Sequence, residues 1–382
     1  MKIGIDFTSA VRERAGIGRY ARELIRALAQ IDHTHAYVLL APRDARAELA
    51  RLPLPPNFTL VRAPLTERAL AILWHRLRVP LPVESFIGRV DAFYSPDFLL
   101  PPTRARRTLV TVHDLSYVRL PECFPTPLLN YLNRAVPRSV ARADLVLADA
   151  ASTQRDLLDV YRVPLAKTRV LYSGVEARFS PQVSAAAQAR VRELTRGKPY
   201  LLAVSTIQPR KNYVRLIEAF AKIANSELAV ADAQFAIRNL QLIIAGHRGW
   251  MYEDVFQTVE RLGLSDRVIF PDFFADEDLP ALYAGATVFV YPSLYEGFGL
   301  PVAEAMACGA PVVCSHASSL PEVAGDAALY FDPRDVGALA ETLRRVLSDA
   351  ALRADLRARG FAQVKQFSWD KAARELHSWL IA

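Results

Sequence analysis

VFVYPSLYEGFGLPVAEAMACGAPVVCS, residues 288–315, reads as strand, loop, helix, strand. Val288–Tyr291 is an apolar run with the character of a buried strand, and Glu296-Gly297-Phe298-Gly299-Leu300 is its loop. Pro301 sits where a helix begins without needing its own N–H, which puts Glu304 in the first helical turn; APVVCS at 310–315 is the next strand. The unpaired N–H groups expected around 299–303 favour a phosphate, and Glu304 can accept hydrogen bonds from sugar hydroxyls. The bland alternative is an ordinary helix-start acid at Glu304 and an exposed loop residue at Glu296.

Outward from this stretch the same alternation repeats. PYLLAVS (199–205), LQLIIAG (240–246), RVIFPDF (267–273), ATVFVYPS (286–293) and AALYFDP (327–333) are short apolar strands, with helical patterns such as NYVRLIEAFAKIA and EDVFQTVERLG between them. Residues 225–240 read as an extension of a surface helix without evident chemistry. The first half carries a similar series. KIGIDF (2–7), a glycine loop and IGRYARELIRALAQI (17–31), with Tyr20, Leu24, Leu28 and Ile31 at helical spacing, make strand, loop, amphipathic helix. Further strands are expected at 37–41, 58–63, 92–96, 107–114 and 144–149. Two doubly wound, Rossmann-like α/β domains facing an interdomain cleft are the economical reading, with the border near 173–185. At the end, Ser368 is a plausible N-cap for a helix carrying Trp369, Ala372, Leu376 and Trp379 on one face, which needs a partner surface.

Composition narrows the function classes. The 382 residues exceed one small module, and 52% hydrophobic against 23% charged residues excludes a disordered chain. Cys123, Cys308 and Cys314 are odd in number and scattered, which argues against a disulfide framework and fits a reducing, cytoplasmic compartment. No apolar run spans a bilayer, so membrane attachment would be peripheral. Residues 1–175 hold 25 basic and 16 acidic residues, and 176–382 hold 22 and 24, so the first half is expected to meet something anionic, such as a membrane face or a lipid diphosphate. No basic tract, zinc spacing or aromatic signature supports nucleic-acid binding.

Several loops carry candidate chemistry. Arg210-Lys211-Asn212 follow a strand and the turn-restricting Pro209, and two adjacent cations there suit a pyrophosphate, Arg210 as a planar fork and Lys211 as a compact charge. Gly16 and Gly18 lie in RAGIGRY, where glycine lets a ligand approach the backbone; Ala21 breaks the dinucleotide fingerprint, which disfavours a nicotinamide cofactor. His113-Asp114 ends the strand RTLVTV at a sheet's carboxyl edge, so His113 is a candidate for positioning a sugar hydroxyl, and Asp114 either fixes its ring or caps the next turn. His33 and His35 fall in a polar turn and His75 and His377 in helical patterns; no metal-binding set stands out. The phosphate loop of ATPases and the nucleophile elbow of α/β-hydrolases are both missing from the sequence.

Taken together, these residues resemble a retaining glycosyltransferase of family 4, with the two-domain GT-B architecture, over nearly the whole chain. The specific signal is Glu296 through Glu304, two glutamates with seven residues between them and G-F-G-L-P inside, and the string T-I-Q-P-R-K-N (206–212) resembles a bacterial mannosyltransferase B-like branch. The resemblance implies that Glu304 holds ribose hydroxyls, that Glu296 with Gly297, Phe298, Gly299 and Leu300 contacts the donor sugar or its phosphates, and that Arg210 and Lys211 stabilise the departing diphosphate. It places Gly16 near the diphosphate and His113 near the transferred sugar. It implies an acceptor-side domain at 1–178, a nucleotide-sugar domain at 179–366 and a helix at 367–382 returning to the first domain. The reaction implied is hexose transfer with retention by a front-face route, without a permanent cofactor or metal. The resemblance points to GDP-mannose as the donor and to a saccharide or polyprenyl-diphosphate-linked saccharide of bacterial surface polysaccharide synthesis as the acceptor; the chain is expected in the cytoplasm, with peripheral attachment to the inner face of the cytoplasmic membrane as the further option. A UDP-hexose donor is the close alternative, and a nucleotide-sugar epimerase of related fold the more distant one.

Overall fold

The computed structural model describes residues 1–12, 16–50, 53–224, 239–271 and 274–382, with the backbone alone at 48 and 49. By its contacts the chain divides into two compact units: Met1–Val118, Pro127–Gly174 and Phe367–Ala382 in the first, Arg119–Thr126 and Val175–Gln366 in the second.

The first unit is built on seven parallel strands: β1 (Lys2–Asp6), β2 (Ala36–Ala41), β3 (Phe58–Arg62), β4 (Ala92–Ser95), β5 (Arg107–Val112), β6 (Leu145–Ala148) and β7 (Thr168–Val170), in the order β3-β2-β1-β4-β5-β6-β7. The chain runs from β1 outward to β3, then returns to the other side of β1, where Ile3 pairs with Ala92 of β4. That reversal is a topological switch point, and ligands of such sheets bind beyond the carboxyl ends of the strands on either side of it. The helix Ile17–Ile31 buries Tyr20, Leu24 and Leu28 against the sheet, as its spacing predicts. Ser368 caps the helix Trp369–Ile381, accepting from the Lys371 amide, and Trp369, Ala372, Leu376 and Leu380 join the same core. Each fully buried side chain of the size of Leu28 or Leu376 contributes about 2 kcal/mol of apolar transfer.

The second unit repeats the plan with β8 (Tyr200–Val204), β9 (Gln241–Ala245), β10 (Val268–Ile269), β11 (Val288–Tyr291), β12 (Val312–Ser315) and β13 (Ala328–Phe331), all parallel, in the order β10-β9-β8-β11-β12-β13. The reversal lies between β8 and β11, where Leu202 pairs with Phe289. Strands such as YLLAV and QLIIA are apolar throughout because helices cover both faces of a parallel sheet. The helix Tyr213–Ala224 buries Leu216, Ile217, Phe220 and Ile223 in this core. Of the helical extension expected at 225–240, residues 225–238 lie outside the described residues. Arg119–Thr126 groups with this unit: Leu120 and Cys123 pack with Tyr295, and the Trp250 indole donates to the Cys123 carbonyl at 2.8 Å.

The strands expected from the apolar runs are present, the one at 267–273 as Val268–Ile269 with residues 272 and 273 outside the described residues, and the structure adds β7, whose three residues TRV are too short and too polar to stand out. One local expectation is corrected. The 300–307 helix begins at Leu300, with Pro301 second, so Glu304 lies past its first turn and the helix carries no acid there. All three cysteines are free and buried, and burial pushes the Cys308 thiol up to about 12. Among the described residues no helix is long and apolar enough to cross a membrane.

Candidate active site

In the second unit the two loops that leave β8 and β11 meet through charge. After β8 the chain makes a tight turn, Pro209–Lys211, with Asn212 in the left-handed region at φ 61° before the next helix. The Asn212 side-chain Nδ2 donates to the carbonyls of Pro292 and Pro333 at 3.0 and 2.7 Å, and the Leu294 backbone amide donates to the Arg210 carbonyl at 2.9 Å, so the turn is tied to the loop after β11. These bonds fix where the two cations point.

Lys211 Nζ donates to Glu296 Oε1 at 2.6 Å and to the Tyr291 hydroxyl at 3.0 Å. Arg210 Nη1 donates to Glu296 Oε2 at 3.1 Å and to the Tyr295 carbonyl at 2.6 Å. None of the three charged side chains is more than 13% exposed. Burial alone would raise the Glu296 carboxyl, but Lys211 and Arg210 outweigh it and hold it at about 2. Glu296 is therefore an ionised carboxylate at any working pH, neither a proton donor nor an effective general base. The charges of the three side chains sum to plus one.

The glycine-rich loop between Glu296 and the 300–307 helix is locally fixed. The Glu296 amide donates to Ser318 Oγ at 2.7 Å, and Ser319 Oγ donates to the carbonyls of Glu296 and Phe298 at 3.0 and 2.9 Å. Gly299, at φ 101°, is the N-cap of that helix, and a Cβ there would come within 2.7 Å of Leu320 Cδ2, so the position demands glycine twice over. Glu304 is buried, and its Oε2 accepts from the Tyr283 hydroxyl at 2.9 Å. Gly297, Phe298 and Leu300 complete the loop, with Phe298 buried. Beside it, the Ile207 amide donates to the His247 carbonyl at 2.8 Å and the Gly249 amide to the Ile207 carbonyl at 2.9 Å, fixing the loop after β9 against the residues that follow β8.

In the first unit the residues singled out at the sheet's carboxyl edge form a separate group. His113, just past β5, is buried with both ring nitrogens engaged: Nδ1 with Asp149 Oδ2 at 2.7 Å and Nε2 with the Pro96 carbonyl at 2.8 Å. A carbonyl can only accept, so Nε2 carries a proton, and the carboxylate favours a second on Nδ1. Burial opposes the charge, but Asp149, Asp97 and the Pro96 carbonyl outweigh it and raise His113 to about 9. Tyr20 and Phe98 meet the ring edge-on. Asp114 takes the capping role, with Oδ1 accepting from the Ser116 amide and hydroxyl, and it is Asp149 that fixes the ring. Gly16, at φ 57°, is the N-cap of the helix Ile17–Ile31, and Gly18 is buried in its first turn. The sequence reading passes over Asp149, Tyr291, Tyr283, Ser318 and Ser319. Asp149 follows β6, Tyr291 ends β11, Tyr283 lies in the helix Leu279–Ala284, and Ser318 and Ser319 follow β12, places with no distinguishing signal in the sequence.

Comparison with known proteins adds identity to this geometry. The family described as Glycosyl transferases group 1 matches residues 186–363, and that described as Glycosyltransferase Family 4 matches residues 14–179. The chain is 33% identical over 376 residues to O-antigen chain mannosyltransferase B of Escherichia coli, covering 94% of this chain and 94% of that protein. It is also 31% identical over 246 residues to the serotype-specific mannosyltransferase WbdA of Escherichia coli, covering 64% of this chain and 29% of that one. Among solved structures, sucrose-phosphate synthase from Thermosynechococcus elongatus superposes with a TM-score of 0.77 at 22% identity, over 99% of this chain and 98% of that one, which shows a shared GT-B fold. A full-length relative above 30% identity and two adjoining family matches leave one assignment: the chain belongs to the glycosyltransferases, its first half of Family 4 and its second of group 1.

Proposed function

We propose that this glycosyltransferase moves mannose from GDP-mannose to a saccharide or lipid-linked saccharide acceptor in the assembly of a bacterial surface polysaccharide. The observation that carries the chemistry is the Lys211–Glu296–Arg210 cluster, which stands beyond the carboxyl ends of β8 and β11, on either side of the switch point. The full-length likeness to an O-antigen mannosyltransferase supports mannose and the acceptor class.

In this reading the second unit holds the donor and the first the acceptor. Breaking the bond between the sugar's C1 and the phosphate oxygen leaves extra negative charge on the diphosphate. Lys211 and Arg210 stabilise that charge from positions fixed before the substrate arrives. Glu296 holds both cations in place. Glu304 accepts hydrogen bonds from the ribose, with Tyr283 orienting its carboxylate. The acceptor oxygen attacks C1 from the face the diphosphate leaves, and its proton passes to the departing phosphate oxygen, so the anomeric configuration is retained. The low pKa of Glu296 supports this route, because it removes that carboxylate as the base. His113, its nitrogens held by Asp149 and Pro96, acts in the first unit by fixing the loop after β4, and contacts the sugar only when one of those bonds is exchanged. No bound metal takes part in this route.

The same reading brings the first unit to an anionic membrane face. Arg76 and Arg78 flank Leu77, which is 65% exposed, and Ile72 is exposed one turn earlier. Sedimentation with vesicles containing anionic lipid at low salt, and release at high salt, is the expected result; equal association with neutral vesicles removes the membrane from the account.

The test of function is a donor screen with extracted lipid-linked acceptor. Labelled mannose should pass from GDP-mannose with an α linkage retained, and far less label from UDP-hexoses. Preferential transfer from a UDP-hexose overturns the donor, and epimerisation of the free donor without transfer overturns the reaction class.

A further inference from the structure

Far from the carboxyl edges, the turn that precedes β2 carries a cluster the catalytic reading does not use. Asp32 Oδ2, His35 Nδ1 and His377 Nε2 converge: Asp32 to His35 at 2.8 Å, Asp32 to His377 at 3.1 Å and His35 to His377 at 3.5 Å. Asp32 is buried and the two imidazoles are 18% and 24% exposed, so the group is enclosed but reachable from solvent. All three residues belong to the first unit, His377 through the helix Trp369–Ile381.

The three separations are close to the edge of a tetrahedral four-coordinate site, about 3.3 Å for bonds of about 2.0–2.1 Å. A circle through the three atoms has a radius of about 1.8 Å, so a cation about 1 Å off their plane reaches all three at bonding distance. The surroundings fit a metal ligand set. The Tyr37 hydroxyl donates to Asp32 Oδ2 at 2.6 Å, the amides of Thr34 and His35 donate to Oδ1 at 2.8 and 3.3 Å, and Asn57 holds the turn by donating to the carbonyls of Asp32 and His35. Oδ2 has the Tyr37 hydroxyl and both imidazole nitrogens within 3.1 Å, and a cation at this point turns the two imidazoles from neighbours of the carboxylate into ligands beside it.

We propose that Asp32, His35 and His377 bind one divalent cation of the zinc class, with solvent at the fourth position, and that it staples the terminal helix to the turn before β2. Two imidazoles and one carboxylate suit zinc, cobalt or nickel and disfavour the all-oxygen cations magnesium and calcium. The place is structural in character, because the turn lies at the amino end of β2, away from the strand ends where the substrate loops gather. The chain leaves this unit after Gly174 and returns at Phe367, and the staple secures that return.

The test uses the full chain without an affinity tag. In wild type, one equivalent of Co2+ should give the visible d–d bands of a four-coordinate site, and Zn2+ should displace it. Zn2+ at a hundred-fold excess over its dissociation constant should raise Tm by about 3 °C or more. His377→Gln and His35→Gln keep a hydrogen-bonding side chain, so both should fold in chelator with an unchanged far-UV spectrum, yet lose the cobalt bands and the Tm rise. Wild type without cobalt bands, or both variants binding as wild type does, overturns the site and shows a hydrogen-bonded cluster instead.

Discussion

The two sheets share one plan and put it to different uses. In each, the strand order reverses beside a central strand and charged groups gather at the carboxyl edge. The second unit places two cations around one buried carboxylate, on loops tied together by the Asn212 side chain and the Leu294–Arg210 backbone bond. The first unit places one imidazolium against one carboxylate, with the second ring nitrogen spent on a backbone carbonyl. In the proposed function the first arrangement presents positive charge where a diphosphate develops its own, and the second fixes loops. Topology thus says where a ligand binds, and the ratio and partners of the charges say what the edge does there.

The largest effect that would sharpen this contrast comes from Lys211→Ala. Transfer should fall by about 10²–10³-fold, equivalent to about 3–4 kcal/mol of transition-state stabilisation, as measured by steady-state label transfer. A variant within threefold of wild type breaks the assignment of the second unit as the charged partner.

His113→Gln should act mainly on stability. Because folding raises His113 from about 6.5 to about 9, its contribution of about 3 kcal/mol is complete below about pH 6.5 and is lost as pH rises through about 9. Denaturant titrations at pH 6 and pH 9.5 should show a wild-type advantage at the first that closes at the second. A gap that is constant with pH would mean the imidazolium pair is not what holds the edge, and a transfer defect as deep as that of Lys211→Ala would erase the distinction between the two regions.

The two N-cap glycines offer a finer comparison. Gly299→Ala combines a left-handed backbone with a clash against Leu320 and should cost about 2 kcal/mol by thermal unfolding. Gly16→Ala should meet mainly the backbone penalty, since among the described residues nothing lies within 4 Å of a Cβ there, and should cost about 1 kcal/mol. Equal losses would show that the 299 loop is not packed as described.

Much of this was legible in the sequence because parallel strands buried on both faces are continuous apolar runs, and their order along the chain carries the fold. β7 escaped because TRV has neither the length nor the apolar character of the others. Arg210, Lys211 and Glu296 were identifiable as loop residues after strands, but their pairing was not: Lys211 and Glu296 are 85 residues apart, and only the adjacency of β8 and β11 brings them together. The same limit hid Asp149, 36 residues from His113, and the Asp32–His35–His377 cluster, which depends on the terminal helix returning 342 residues later. Sequence pattern finds the loop a residue stands on, and strand order decides whom it meets.

The central claim is that the Lys211–Glu296–Arg210 cluster is the diphosphate-binding nucleus of this enzyme. Its most direct test is a calorimetric titration of GDP into wild type and Lys211→Gln at one pH and ionic strength. Affinity should be at least about tenfold weaker in the variant, the loss of one charge-assisted contact; equal affinity for GDP in the two proteins would show that the cluster does not bind the diphosphate.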